Sequence, residues 1–176
     1  MNIWHDIDSK RINVDDFVAA IEISKGSKNK YELDKATGLI MLDRILYTST
    51  HYPANYGFIP KTYAEDDDPL DVLILCNEPI VPLTLVECKP IGVMYMVDNG
   101  QTDEKIIAVC TSDPFYKDYN SIKDLPAHVS EQIKHFFTVY KTLEGKETIV
   151  ENALQEADKA KEVIEKCIGR YINKFE

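Results

Sequence analysis

The most constraining stretch of this chain is TLVECKPIGVMYMVD, Thr84 to Asp98, a long strand pattern broken only by Pro90. A proline cannot donate a ladder hydrogen bond, so Pro90 demands a bulge, a bend or an edge there. After the turn NGQTD, the segment EKIIAVC (Glu104 to Cys110) reads as the partner of the strand's end. Other strands precede this hairpin. FVAAIEIS (Phe17 to Ser24) is apolar enough to be buried. KYELD (Lys30 to Asp34) alternates, turns at KATG and continues as LIMLD (Leu39 to Asp43), a second hairpin. DVLILC (Asp71 to Cys76) is a short buried strand.

The last third reads as helices. Val129, Ile133, Phe136, Phe137 and Tyr140 recur at helical spacing, after Asp124 and Pro126 as start signals. A second helix is expected to begin near Asn152, with a stripe through Leu154, Ala157, Ala160, Ile164, Cys167, Ile168 and Tyr171. Many short strands followed by two helices imply an α+β fold that is mainly β, a small closed barrel with helices packed outside. With 176 residues and no linker or repeat, one domain over 1–176 is expected.

Net charge is −10, which argues against non-specific nucleic-acid binding and against an anionic membrane surface. The N-terminus is charged and has no signal-peptide core, so a cytoplasmic location is expected. Cys76, Cys88, Cys110 and Cys167 form no CxxC pair and read as reduced, buried cysteines.

EDDDPLD, Glu65 to Asp71, packs five acids into seven positions against a buried strand. In an extended backbone Asp66 and Asp68 project to one side, and Asp71 opens the strand. Glu65 and Asp67 then face away and are expected to be merely solvated. Asp98 and Asp103 flank the NGQT turn. Oxygen ligands in such number suit Mg²⁺ or Mn²⁺ better than zinc. The EF-hand pattern fails, because Leu70 and Asp71 stand where an oxygen ligand and a glycine are needed. The acids are joined by Lys30, Arg44, Lys105, Lys141, Tyr52, Tyr56 and Tyr140 in strand, turn and helix-end contexts. Acidic metal ligands facing such cations and phenols compose a site for a metal-complexed phosphate. His51 and His135 have no partner at metal-ligand spacing and read as structural or surface groups.

DDDPLDVLI resembles the signature D-x-D-P-x-D-V of the soluble family I inorganic pyrophosphatases, bacterial type. IEI with Glu22, KYELD with Lys30 and Glu32, DR with Arg44, YPANYGFIP with Tyr52 and Tyr56, and HFFTVYKTLEGK with Tyr140 and Lys141 resemble further segments in the family's order. The resemblance implies a five-stranded OB-type barrel and Mg²⁺-dependent hydrolysis of pyrophosphate to two orthophosphates. It implies Asp66, Asp71, Asp103, Asp98 and Glu22 as metal ligands, several ions per site, with Mn²⁺ a substitute for Mg²⁺. It implies Asp68, Tyr56 and Arg44 as catalytic groups, and Asp68 in particular as the partner of the attacking water. Lys30, Arg44, Tyr56, Lys105, Tyr140 and Lys141 are implied as phosphate contacts, with Glu32 and Tyr52 in support. A homohexamer is implied by the bacterial relatives. The chain departs from the family pattern at Asn99, where an acid is common, at Phe58, where a tyrosine is frequent, and in GKETIV, which lacks a frequent tryptophan. The rival reading is a non-catalytic OB-type module that binds divalent cations or nucleic acid.

Overall fold

The computed structural model describes residues 1–176. Its centre is a ring of five strands: β1 (Phe17–Ile23), β4 (Asn55–Ile59), β5 (Leu70–Leu75), β7 (Gln101–Cys110) and β6 (Leu85–Asp98), with β6 returning to pair β1. Every neighbouring pair is antiparallel except β5 and β7, which run parallel. β6 closes the ring because it serves two partners. Leu85–Cys88 lie against β1, while Cys88–Asp98 lie against β7. The register slips between Pro90 and Gly92, so the proline marks the bulge that turns the strand from one partner to the other.

β2 (Asn29–Leu33) and β3 (Ile40–Ile45) form a separate two-stranded arm. β8 (Thr148–Val150) and β9 (Gln155–Glu156) add short strands to the outer edge of β6. The helices are α1 (Ala127–Val139) and α2 (Ala157–Phe175). No helix is long and apolar enough to cross a membrane.

Alternation along the ring strands separates two cores. Leu70, Val72, Ile74, Ile106 and Ala108 pack in one with Ala160, Val163, Ile164 and Cys167 of α2. Leu73, Leu75, Ile107, Val109, Met94 and Met96 pack in the other with Ile133, Phe136 and Phe137 of α1. Burial on both faces explains why these strands read as continuous apolar runs.

α1 begins after Pro126, as its stripe implies, but Asp124 caps a different element. Its carboxylate accepts from the backbone of Ser121 and Asn120 and closes the single turn Ile122–Asp124. α2 begins at Ala157 and not near Asn152, because Gln155 and Glu156 are held in extended pairing with Val93 and Gly92. The turn between β6 and β7 is tighter than NGQTD. Asn99 (φ 51) and Gly100 (φ 80) alone make it, a two-residue hairpin turn with both residues in the left-handed region. Asn99 therefore suits the backbone, as a residue that tolerates the left-handed region.

β1 carries a bulge at Glu22. Ile21 pairs Gly57 and Ile23 pairs Tyr56, leaving Glu22 unmatched. The close approach there rests on Gly57, where any Cβ would overlap the carbonyl oxygen of Ala20. Gly57→Ala should cost roughly 1–3 kcal/mol, the range for overpacking, and reversible denaturation would measure it. A loss below about 0.5 kcal/mol would show that the strands separate freely at the bulge.

Candidate active site

The α1-side face of the ring ends in acids and phenols where its interior is apolar. Register explains the convergence. Asp71 lies beside Lys105 across the parallel β5–β7 pair and opposite Phe58 on β4. Asp103 and Lys105 share a face of β7, two residues apart, and Asp98 shares the corresponding face of β6. Tyr56 on β4 and the bulged Glu22 on β1 complete the ring's share. Together with the acidic loop, the arm and the end of α1 they line a cleft of about 370 Å³.

Of the residues singled out in the sequence, Glu22, Lys30, Glu32, Tyr56, Asp66, Asp68, Asp71, Asp98, Asp103, Lys105, Tyr140 and Lys141 all line this cleft. Tyr52 and Arg44 do not. Tyr52 is buried behind Tyr56, with ring centroids 5.4 Å apart, and against Phe136 at 4.7 Å. Arg44 stands beside Lys30 on the arm, where Asp43 and Glu144 hold its guanidinium, the Nε···Oε1 separation to Glu144 being 2.7 Å. Its Nη2 is buried and has no hydrogen-bond partner.

Five further residues line it without a site role assigned from sequence: Tyr31, Leu33, Lys35, Phe58 and Pro69. Lys35 sits in the turn of the arm, where sequence offers only a generic turn residue. The acid spacing around it gives no hint that the turn folds over EDDDPLD.

The acidic loop itself is not extended. Asp67 has φ 66, and Asp68 N–H donates to the Asp66 carboxylate at 3.2 Å, a local turn closed by Ala64 N–H on the Asp68 carbonyl at 2.8 Å. Nor are Glu65 and Asp67 merely solvated. Glu65 pairs with Arg170 of α2 at 2.6 Å, and Asp67 accepts from the Tyr63 hydroxyl. These two acids tie the loop from behind while Asp66 and Asp68 face the cleft.

Seven acids face four lysines in the cleft, and each lysine is engaged. Lys105 Nζ lies 2.8 Å from Asp71, 3.1 Å from Asp103 and 2.8 Å from the Tyr56 hydroxyl, which accepts its hydrogen bond. Lys141 pairs with Asp98, Lys30 with Glu32 and Asp43, and Lys35 with Asp68. No three acids stand as a finished metal cage, since ammonium groups lie between them.

The charge balance nevertheless favours additional cations. Burial, then the charge of Asp71, raises the Glu22 carboxyl to about 8, although Leu33 N–H donates to it at 2.9 Å. Burial, then Asp71 and Asp103, raises Asp66 to about 6. Burial raises Asp103 too, with Lys105 only partly opposing it. Burial would lower Lys105, but Asp103 and Asp71 hold it well above its ordinary value. Acids that hold protons this tightly are acids in need of positive charge, and an all-oxygen donor set suits a hard divalent ion.

A family profile described as inorganic pyrophosphatase matches residues 19–172. The chain belongs to the inorganic pyrophosphatase family. It is 51% identical over 169 residues to soluble inorganic pyrophosphatase 2 of Chlamydomonas reinhardtii, covering 96% of this chain and 87% of that protein. It is 49% identical to the soluble inorganic pyrophosphatase of Zea mays, over 96% of this chain and 78% of that one. Among solved structures, the inorganic pyrophosphatase of Thermus thermophilus superposes with a TM-score of 0.92 at 37% identity, covering 98% and 99% of the two chains. That of Helicobacter pylori superposes at 0.88 and 41%, covering 92% and 96%. The ring of five strands with outer helices is thus this family's fold, as the resemblance implied.

The raised carboxyls make stability depend on pH in a definite direction. A group that binds its proton more tightly when folded stabilises the fold below its unfolded pKa and loses that contribution as pH rises through the folded value. For Glu22 and Asp66 this window runs from about 4 to about 8. In chelator, the midpoint of thermal unfolding should fall as pH rises from 5 to 8. Glu22→Gln should flatten that fall, and added Mg²⁺ should reverse it. Parallel pH profiles for wild type and variant would refute the assignment of the effect to Glu22.

Proposed function

We propose that the whole chain, 1–176, is a single inorganic pyrophosphatase domain that hydrolyses pyrophosphate to two orthophosphates by direct in-line attack of water, with Mg²⁺ as its metal. The observation that carries this reading is the cleft, in which seven acids and four lysines meet beside buried phenols. Pyrophosphate is a compact polyanion, and a site that combines cations with metal-binding acids can offset its charge. Asp66, Asp71, Asp103, Asp98 and Glu22 are the oxygen donors for the metal ions. When bound, such ions lower the pKa of a coordinated water and offset charge on phosphate oxygens.

Asp68 orients the attacking water and accepts its proton. The loop turn supports this role, because it holds the backbone of Asp68 on the Asp66 carboxylate. Lys30, Lys105, Lys141, Tyr56 and Tyr140 hold the phosphates. Burial raises the hydroxyl pKa values of Tyr56 and Tyr140, which keeps both as neutral hydrogen-bond donors. Arg44 has a buried donor to spare and reaches a phosphate oxygen by exchanging its contact with Glu144. Glu32 and Tyr52 support these groups, Glu32 by its contact with Lys30 and Tyr52 by its packing on Tyr56. No nucleophilic side chain is needed, since the donated proton and the attacking oxygen both come from water. Assembly as a homohexamer and a cytoplasmic location belong to the same proposal.

Phosphate release from pyrophosphate with Mg²⁺ is the decisive measurement, and chelator should abolish it. Asp68→Asn should lower kcat by 10²-fold or more, on the order expected for loss of a positioned proton acceptor, while leaving metal affinity nearly unchanged. Turnover within a few-fold of wild type would remove Asp68 from that role. Arg44→Ala should weaken pyrophosphate binding, read as a raised KM.

A further inference from the structure

We infer that Lys35, at the tip of the β2–β3 arm, is a positioning residue for Asp68. The inference rests on the pyrophosphatase reading above, and nothing in the sequence pattern marks Lys35 for it.

The tip is a built structure. Asp34 N–H donates to the Leu39 carbonyl and Gly38 N–H to the Asp34 carbonyl, both at 2.8 Å, while the Asp34 carboxylate accepts from the Thr37 hydroxyl. The N-terminal segment lies across the tip. Asn2 Nδ2 donates to the Lys35 carbonyl at 2.9 Å, and a Cβ on Gly38 would meet Asn2 Cα at 2.9 Å. The tip backbone is therefore clamped on both sides, and the direction in which the Lys35 side chain leaves it is set.

That direction is the acidic loop. Lys35 Nζ pairs with Asp68 Oδ1, donates to the Asp67 carbonyl at 3.1 Å and lies 5.9 Å from the centroid of the Trp4 ring. Trp4 is itself buried and anchored to the same loop's root, with Nε1 donating to the Thr62 carbonyl at 2.8 Å. The ammonium thus bridges backbone and carboxylate at the point where Asp67 takes its left-handed turn. One carboxylate oxygen of Asp68 is held, so the rotation of the other toward the cleft is fixed. A half-exposed ion pair contributes little to global stability. Its value here is orientation, and misplacing a reacting group by about 1 Å costs up to 10²-fold in rate.

Two measurements on Lys35→Ala, Lys35→Met and Lys35→Arg test this. In the first, steady-state hydrolysis at saturating Mg²⁺ should show kcat down by about ten-fold in Lys35→Ala and Lys35→Met. KM for pyrophosphate should stay within about two-fold, and Lys35→Arg should recover most of kcat. In the second, amide hydrogen exchange of metal-free protein should be faster at Asp67 and Asp68 in the Ala and Met variants than in wild type. A kcat within about two-fold of wild type overturns the proposal. So does a raised KM with kcat intact, which would make Lys35 a substrate contact. Wild-type protein that releases no phosphate overturns the pyrophosphatase reading instead, while unchanged exchange in Lys35→Ala overturns the loop contact alone.

Discussion

A buried ammonium group holds the architecture of the site together. Lys105 is 3% exposed and is reached by Asp71 of β5, Asp103 of β7 and the Tyr56 hydroxyl of β4. Each partner alone would be a poorly tolerated polar group at the edge of an apolar core. Phe137 of α1 lies against the same ammonium, 5.2 Å from ring centroid to Nζ. Stripping one member from such a buried cluster costs about 3–5 kcal/mol, because the remainder keeps an uncompensated charge. The same arrangement prepares chemistry. Asp71 and Asp103 are kept apart by an ammonium that these same acids hold in its charged form.

Around that centre, the loop EDDDPLD divides its labour. Asp66 and Asp68 face inward, while Glu65 and Asp67 fasten the loop to α2 and to Tyr63. Tyr63 N–H donates to the carbonyl of Cys167 on α2 at 3.0 Å, and Trp4, Tyr171 and Phe175 pack around the same corner. The terminal helix and the first residues of the chain are thus part of what holds the acidic loop, though neither lines the cleft.

Much of this was legible beforehand because it rests on local patterns. The bulge at Pro90, both hairpins and the helical stripe of α1 follow from residues adjacent in sequence. Many of the residues that line the cleft also sit at strand ends that register brings together, whereas Tyr52 and Arg44 lie outside it. What escaped was set by partners distant in sequence. The helical stripe of α2 runs on toward Asn152, but β6 captures Gln155 and Glu156 and delays the helix to Ala157. The loop was expected to be extended because the Ala64–Asp68 closure and the positive φ of Asp67 leave no composition signal. A turn lysine such as Lys35 acquires meaning only when the arm folds onto a loop thirty-odd residues later. Arg44 matched its motif, yet Asp43 and Glu144 hold it off the cleft wall.

The parallel pairing of β5 with β7 has a consequence for how the molecule comes into being. β6 and β7 meet across a two-residue turn and can form early, whereas β5 reaches β7 only after the chain between them has been arranged, and β1 reaches β6 only when the ring shuts. Contacts of such sequence separation are slow to form. Asp71 and Lys105 meet only through that distant pairing, so a chain in which β5 and β7 have not joined carries most of the acids yet lacks the cleft. A closed Lys105 cluster thereby becomes a marker of completed folding.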